Sequence, residues 1–224
     1  ILANALLYAT EPRRPIQMLH AISRPMMRWM NWLEKADNAF LSTEILRDIA
    51  EKYWGSAAAA DFSTYEGKAL ASKTIQDYSY VKESLIVCDF LWPIHEVHSP
   101  DKNMRCCTLE SRIVSAITGY ELDESGLFNI GERIGNLQRA ILLREGWPGR
   151  KGDKLMDYLH EEPLTGVYFS PEGLAPGPEG KIISRKGKMV DREEFEKMKD
   201  EYYRLRGWDV STGLLTGAKL EQLE

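Results

Sequence analysis

The chain has 224 residues, of which 43% are hydrophobic and 28% charged, and its formal net charge is -5 at pH 7. This composition predicts a soluble, globular protein with a sizeable core. Because basic and acidic residues are interleaved, no broad cationic face is expected, which argues against nucleic-acid binding. No apolar run approaches the ~20 residues that cross a bilayer, so no membrane association is expected either.

The three cysteines are too few for a disulfide framework, and Cys106 and Cys107 are adjacent. With no recognisable signal peptide, the sequence predicts a cytoplasmic protein. The chain starts at Ile1, inside an apolar pattern typical of a helix. We therefore expect it to be a piece of a longer polypeptide.

Helical spacing dominates the first quarter of the chain. Apolar residues between Met18 and Leu33 recur at steps of three and four, and Pro25 is expected to kink or split that helix. A second helix is predicted from Ser42, which is a good N-cap, to Gly55. Both helices are expected to serve packing.

A third helical pattern runs over about 65–90, and Pro93 ends it. Cys88 is therefore expected in the last turns of this helix or just past them. A short helix is predicted over 109–118, closed by Gly119. Composition alone favours Cys88 as a packed core residue, because unpaired cysteines behave as small hydrophobes.

A long amphipathic helix follows, with apolar residues at steps of three and four on one face. Gly131 and Gly135 lie four residues apart on it, so a neighbouring backbone is expected to come close to them. The apolar face consists of Leu127, Ile130, Ile134, Leu137 and Ile141.

Glycine and proline punctuate residues 166–188, which predicts an extended loop or arm, with a hairpin as an option. Asp191 is expected to cap the last long helix, which Gly207 can end. With a short helix over 217–223, the patterns predict a mainly α fold. We expect a single helical region over 1–224, with 189–224 as a candidate satellite.

Motifs that identify common active sites are missing. Neither the dinucleotide-binding nor the P-loop glycine pattern occurs, and there is no nucleophile elbow. His95 and His98 have no CxxC partner nearby, so a zinc site is not expected.

Three longer stretches resemble the C-terminal region of the aldehyde ferredoxin oxidoreductase family, the tungsten-pterin enzymes of anaerobes. The second and third of them occur in the family's order and spacing. The three stretches are TYEGKALASKTIQDYSYVKESLIVCDF from Thr64, GLFNIGERIGNLQRAILLREGWPGRKGDKLMDYLHEEPLTG from Gly126, and EYYRLRGWDVSTGLLTGAKLEQL from Glu201.

The resemblance implies a tungsten-bis-pterin cofactor of the molybdopterin type and a [4Fe-4S] cluster. Cys88 occupies the place of the family's fourth cluster ligand, whose three companions lie in an earlier domain. Glu83 stands where the family usually has Asp, and Ile86 with Val87 replaces a Gly-Leu pair. Glu83 and Asp89 are the residues expected to contact the pterin.

The segment LLYATEPRRPIQMLH is similar to the family's segment that supplies an active-site histidine after an arginine-glycine pair. Here Arg14 stands at the glycine position and Gln17 at the histidine position. His20, three residues later, is the candidate acid or base. The alternatives are that this branch lacks the residue, or that His20 is a satisfied core histidine.

The function implied by the resemblance is oxidation of an aldehyde to a carboxylic acid, with electrons passed through the cluster to ferredoxin. The expected partners are ferredoxin, a small organic substrate and the N-terminal remainder of the enzyme, with a homodimer left open. Alone, this chain is expected to be inactive. Two alternatives are a branch that reduces an aromatic acyl-thioester and a non-catalytic helical interaction domain in which Cys88 is core.

Overall fold

A computed structural model describes residues 2–12, 16–88, 92 and 108–223, with only the backbone given for 16–20. Within that part of the chain the fold is mainly α, as predicted, and contains one two-stranded sheet. The α-helices are α1 (Leu2–Thr10), α2 (Ile16–Leu33), α3 (Thr43–Tyr53), α4 (Lys68–Ser84), α5 (Thr108–Thr118), α6 (Glu124–Arg144), α7 (Tyr158–Glu161), α8 (Arg192–Arg206) and α9 (Gly217–Gln222).

Local signals set the ends of several helices where the sequence predicted them. The Ser42 side chain accepts a hydrogen bond from the backbone N–H of Ile45 and caps α3, whose end precedes Gly55 at φ +85°. Asp191 caps α8 in the same way, through the N–H of Glu194. Pro25, however, does not split α2, which continues through it.

Helix α4 is the central element, because α1, α6 and α8 all pack against it. The predicted close approach of a neighbouring backbone is confirmed at Gly131, whereas Gly135 meets a side chain. A Cβ atom at Gly131 would lie 2.2 Å from the carbonyl oxygen of Asp77, and one at Gly135 would lie 2.9 Å from Cε2 of Tyr80. The two helices thus touch through backbone atoms, with no room for a side chain at Gly131.

The apolar face of α6 is buried only at its N-terminal end. Leu127 is 2% exposed, whereas Leu137 is 62% and Ile141 is 51% exposed. The regular spacing of these residues predicted the helix correctly. It carried no information about which turns would be covered.

Two apolar clusters form the core. The first lies among α2, α3 and α4 and includes the fully buried Trp29 and Trp54. The second joins Leu6 of α1 to α8, through Phe195 and Tyr202. No helix of the described residues is long and apolar enough to cross a membrane.

The glycine- and proline-rich segment 166–188, called the arm below, contains the hairpin that the sequence left as an option. Strands β1 (Leu174–Pro176) and β2 (Ile182–Ser184) pair antiparallel. The backbone N–H of Phe62 donates to the carbonyl of Pro176 at 2.9 Å. This bond holds the arm against the segment that precedes α4.

Candidate functional site

Cys88 lies just beyond α4 and is exposed. The helix ends in a tight turn in which the N–H of Ile86 donates to the carbonyl of Glu83, and that of Val87 to the carbonyl of Lys82. The chain then leaves the helix axis and presents Cys88 at the surface. The interpretation of Cys88 as a packed core residue is therefore wrong.

Ile86 adopts a conformation that normally belongs to glycine. Its φ is +57°, in the left-handed region, where a β-branched side chain is a genuine outlier. This turn is also where the family pattern has glycine and this sequence has Ile86 and Val87. The helix-ending turn thus forms here without the glycine that favours a left-handed conformation.

The buried carboxylate Glu110 binds Trp92, whose backbone is bonded to that of Cys88. The Cys88 carbonyl accepts the backbone N–H of Trp92 at 2.8 Å. The indole N–H of Trp92 donates to Oε1 of Glu110 at 2.9 Å, and the Tyr78 hydroxyl donates to the same oxygen at 2.6 Å. Glu110, on α5 and 2% exposed, thereby links Trp92 to both α4 and α5.

Sequence reasoning missed this anchor. Trp92 is 18 residues from Glu110, and Tyr78 is 32 residues away from it. No local pattern relates residues at such separations. The one available signal was a glutamate in the first turn of a helix, and that position is also typical of a helix-dipole role.

The last turn of α4, which precedes Cys88 in the chain, carries residues of both charges, Lys82 and Glu83. The Lys82 ammonium lies 4.6 Å from the centroid of the Tyr78 ring, and this lysine is 3% exposed. Glu83, in the last turn of α4, is half-buried and five residues before Cys88. A contact of Glu83 with a pterin remains a prediction.

The other predicted site residues lie outside what the structure describes. His20 falls within α2, where only the backbone is given, and Asp89 is not described. The same holds for His95 and His98 and for the adjacent Cys106 and Cys107. Their roles stay predictions.

The chemistry of Cys88 fits one corner of an iron-sulfur cluster. A [4Fe-4S] cluster takes four thiolates, and an exposed sulfur can reach a cluster held largely by other residues. No group of three or more His, Cys, Asp or Glu side chains gathers anywhere in the described ranges. The described residues therefore offer one thiolate and could not complete a cluster by themselves.

The most deeply buried charges form a separate, structural network between α4 and α8. Arg206 donates to Asp77 and to Gln76, and the Tyr202 hydroxyl also donates to Gln76. Burial raises the pKa of Tyr202. The space beside this network is about 10 Å³, so it cannot hold a ligand.

The described residues thus form a mainly helical fold that presents an exposed cysteine just after α4. A family model described as aldehyde ferredoxin oxidoreductase, domains 2 & 3, matches residues 3–224. The chain belongs to this family, whose members are oxidoreductases.

Two relatives carry the same description, tungsten-containing aldehyde ferredoxin oxidoreductase. One is from Pyrococcus furiosus and the other from Pyrococcus abyssi, and each is 32% identical to this chain over 111 residues. The alignment covers 50% of this chain and 15% of either relative. The matched part is thus a small share of those proteins.

Proposed function

We propose that this chain is the C-terminal part of a cytoplasmic, tungsten-dependent oxidoreductase of anaerobes that oxidises an aldehyde to a carboxylic acid and passes the electrons to ferredoxin. The observation that carries the proposal is the family match over 3–224. The names of the two Pyrococcus relatives support the metal, the substrate class and the acceptor.

Cys88 would bind one iron of a [4Fe-4S] cluster whose other ligands come from the remainder of the enzyme. Its exposure and the Glu110 anchor support this role, because a ligand shared between domains has to be both accessible and held in place. Glu83 and Asp89 would accept hydrogen bonds from pterin amines, and His20 would exchange a proton with the substrate. When bound, the tungsten-pterin supplies the two-electron redox chemistry.

Replacing Cys88 by serine in the full-length protein, purified without oxygen, tests the ligand role. We expect the iron content to fall while the helical circular dichroism changes little, because Cys88 is exposed and lies outside the helices. Cys107→Ser is the matched control and should keep its iron, since the resemblance assigns no ligand there. Iron unchanged in Cys88→Ser rejects the role.

The reaction is tested by an anaerobic assay of the full-length protein with an aldehyde and oxidised ferredoxin. Carboxylic acid formed together with reduced ferredoxin is the expected result. Reduction of an aromatic acyl-thioester in place of aldehyde oxidation would replace the proposed reaction. A purified protein with neither tungsten nor iron would favour the helical interaction domain.

A further inference from the structure

A cavity of about 200 Å³ lies between the arm and the first two helices. Leu2 of α1, Met26 of α2 and Phe62 line it, and the backbone of Phe62 is bonded to the end of β1 at Pro176. Most of the remaining wall comes from the arm and the residues next to it. Cys88 is not among the lining residues.

The wall of this cavity is apolar and its mouth is open. Leu164, Val167 and Met189 line it while being 37%, 40% and 46% exposed. Protein interiors hold few voids larger than a water molecule, because unfilled apolar space forfeits packing. An apolar cavity that opens to solvent is more typical of a binding site than of imperfect packing.

One positively charged residue that lines this cavity has no ion-pair partner among the described residues. Arg185 is half-buried, lines the cavity and forms no ion pair with any described residue. The neighbouring Lys186 differs, because it pairs with Glu172 at 3.2 Å. The other charged lining residues are Lys188 and Glu162, both exposed, so the lining carries one net positive charge.

The backbone fixes Arg185 at this position. Its N–H donates to the carbonyl of Gly173 at 2.8 Å, and its carbonyl accepts the N–H of Lys188 at 3.1 Å. A side chain whose backbone is held on both sides needs less reordering to bind a ligand. The backbone that carries this cation is thus held at the edge of the apolar cavity.

A second cation lies near Arg185. The Lys68 ammonium, 1% exposed, donates to three backbone carbonyls, and burial lowers its pKa to about 8. The charge of Arg185 lowers this pKa as well, although Asp61 and Glu66 act in the opposite direction. An anion bound by Arg185 would reduce this like-charge repulsion.

We propose that the cavity binds a small carboxylate with an apolar body, such as a single aromatic ring or a short branched chain. A dry cavity of ~150 Å³ is known to accept benzene, so about 200 Å³ suits one ring with a carboxylate. Arginine pairs with carboxylates through two parallel hydrogen bonds. A bare inorganic anion would pair with Arg185 but would make no apolar contacts with the wall of the cavity.

This inference rests on the cavity and Arg185 alone and does not require the proposed redox function. Binding is therefore measured directly, by calorimetry on the full-length protein. The probes are benzoate, its uncharged isostere benzamide, and acetate, which lacks the ring. We expect benzoate to bind more tightly than either of the others.

Arg185→Gln tests the charge contact. It should weaken benzoate binding by about tenfold or more and benzamide binding much less, because only the carboxylate pairs with the guanidinium by charge and through two hydrogen bonds. Lys186→Gln is the matched control, since it removes a cation from the next residue without touching the cavity. Its benzoate affinity should equal that of the wild type.

Val167→Phe tests the apolar body of the site. A ring placed at the mouth should reduce the affinity for benzoate and benzamide together. Benzoate that fails to bind the full-length protein, or that binds the Arg185→Gln variant as tightly as the wild type, overturns the proposal. Equal affinities for benzoate and acetate would also overturn it.

Discussion

At the scale of single residues, Ile86 has an unfavourable backbone conformation and a side chain that makes almost no packing contacts. Its φ is +57° and its side chain is 93% exposed. A β-branched residue in the left-handed region is disfavoured by roughly 1–2 kcal/mol, because Cβ crowds the following carbonyl. Exposure means that little burial energy offsets this cost.

We therefore expect Ile86→Gly to raise the free energy of unfolding by about 0.5–1 kcal/mol, the strain relieved less the added freedom of glycine in the unfolded chain. Urea denaturation measures the change. Ile113→Gly, in the middle of α5, is the opposite-sign control and should destabilise by about 1 kcal/mol. A loss of stability in Ile86→Gly would mean that the turn is not strained.

Lys68 makes the stability of the protein depend on pH in the alkaline range. Burial lowers its pKa in the folded state to about 8, against an ordinary value of 10.5. Between these values the unfolded chain binds more protons than the folded one at this site. The contribution of Lys68 to the free energy of unfolding therefore rises as the pH goes from 8 towards 10.5.

The measurement compares wild type with Lys68→Met at pH 7.5 and pH 9.5. The free energy of unfolding of the wild type should increase relative to that of the variant over this interval. The pH is kept below 10 because the buried tyrosines Tyr80 and Tyr203 have raised pKa values. Above that pH they lower the free energy of unfolding of the protein. A difference between the two proteins that does not change with pH would contradict the lowered pKa.

At the scale of secondary-structure elements, the contact between α4 and α6 depends on Gly131. A Cβ atom there would lie 2.2 Å from the Asp77 carbonyl oxygen, and a backbone atom cannot move aside without shifting a helix. We expect Gly131→Ala to destabilise by about 1–3 kcal/mol, as overpacking does. Gly217→Ala, with open space around it, should be neutral or slightly stabilising.

Thermal and urea unfolding of the two alanine variants provide the measurement. Both substitutions add one methyl group to a helix, so the difference between them isolates the packing conflict at α4. Equal stability of the two variants would show that α4 and α6 can separate without cost.

The helix ends could be predicted from sequence because their causes are local. Ser42 and Asp191 cap the helices that follow them through backbone N–H groups three residues away. The exposure of Leu137 could not be predicted, since helical spacing identifies an apolar face but not which other elements pack against it. The same limit applies to the site: resemblance pointed to Cys88, whereas the Glu110 anchor depends on contacts made only in the folded chain.

At the scale of the whole molecule, buried charges join the C-terminal residues to the rest of the protein. Arg206 of α8 pairs with Asp77 of α4, and their side chains are 2% and 1% exposed. Residues of α8 also share an apolar cluster with Leu6 of α1. Separating 189–224 from the remainder would expose this cluster and leave a buried charge without its partner.

We therefore expect 189–224 to unfold together with the other helices and not as an independent satellite. Hydrogen exchange should give the most protected amides of α8 and α4 the same opening free energy. Asp77→Asn should lower both values by about 3–5 kcal/mol, because it leaves the Arg206 charge buried and unpaired. Asp157→Asn, which removes one of the two acidic partners of Arg192 in an ion pair exposed on both sides, is the control and should change either value by less than about 1 kcal/mol. If only α8 lost protection in Asp77→Asn, the C-terminal residues would be a separate folding unit.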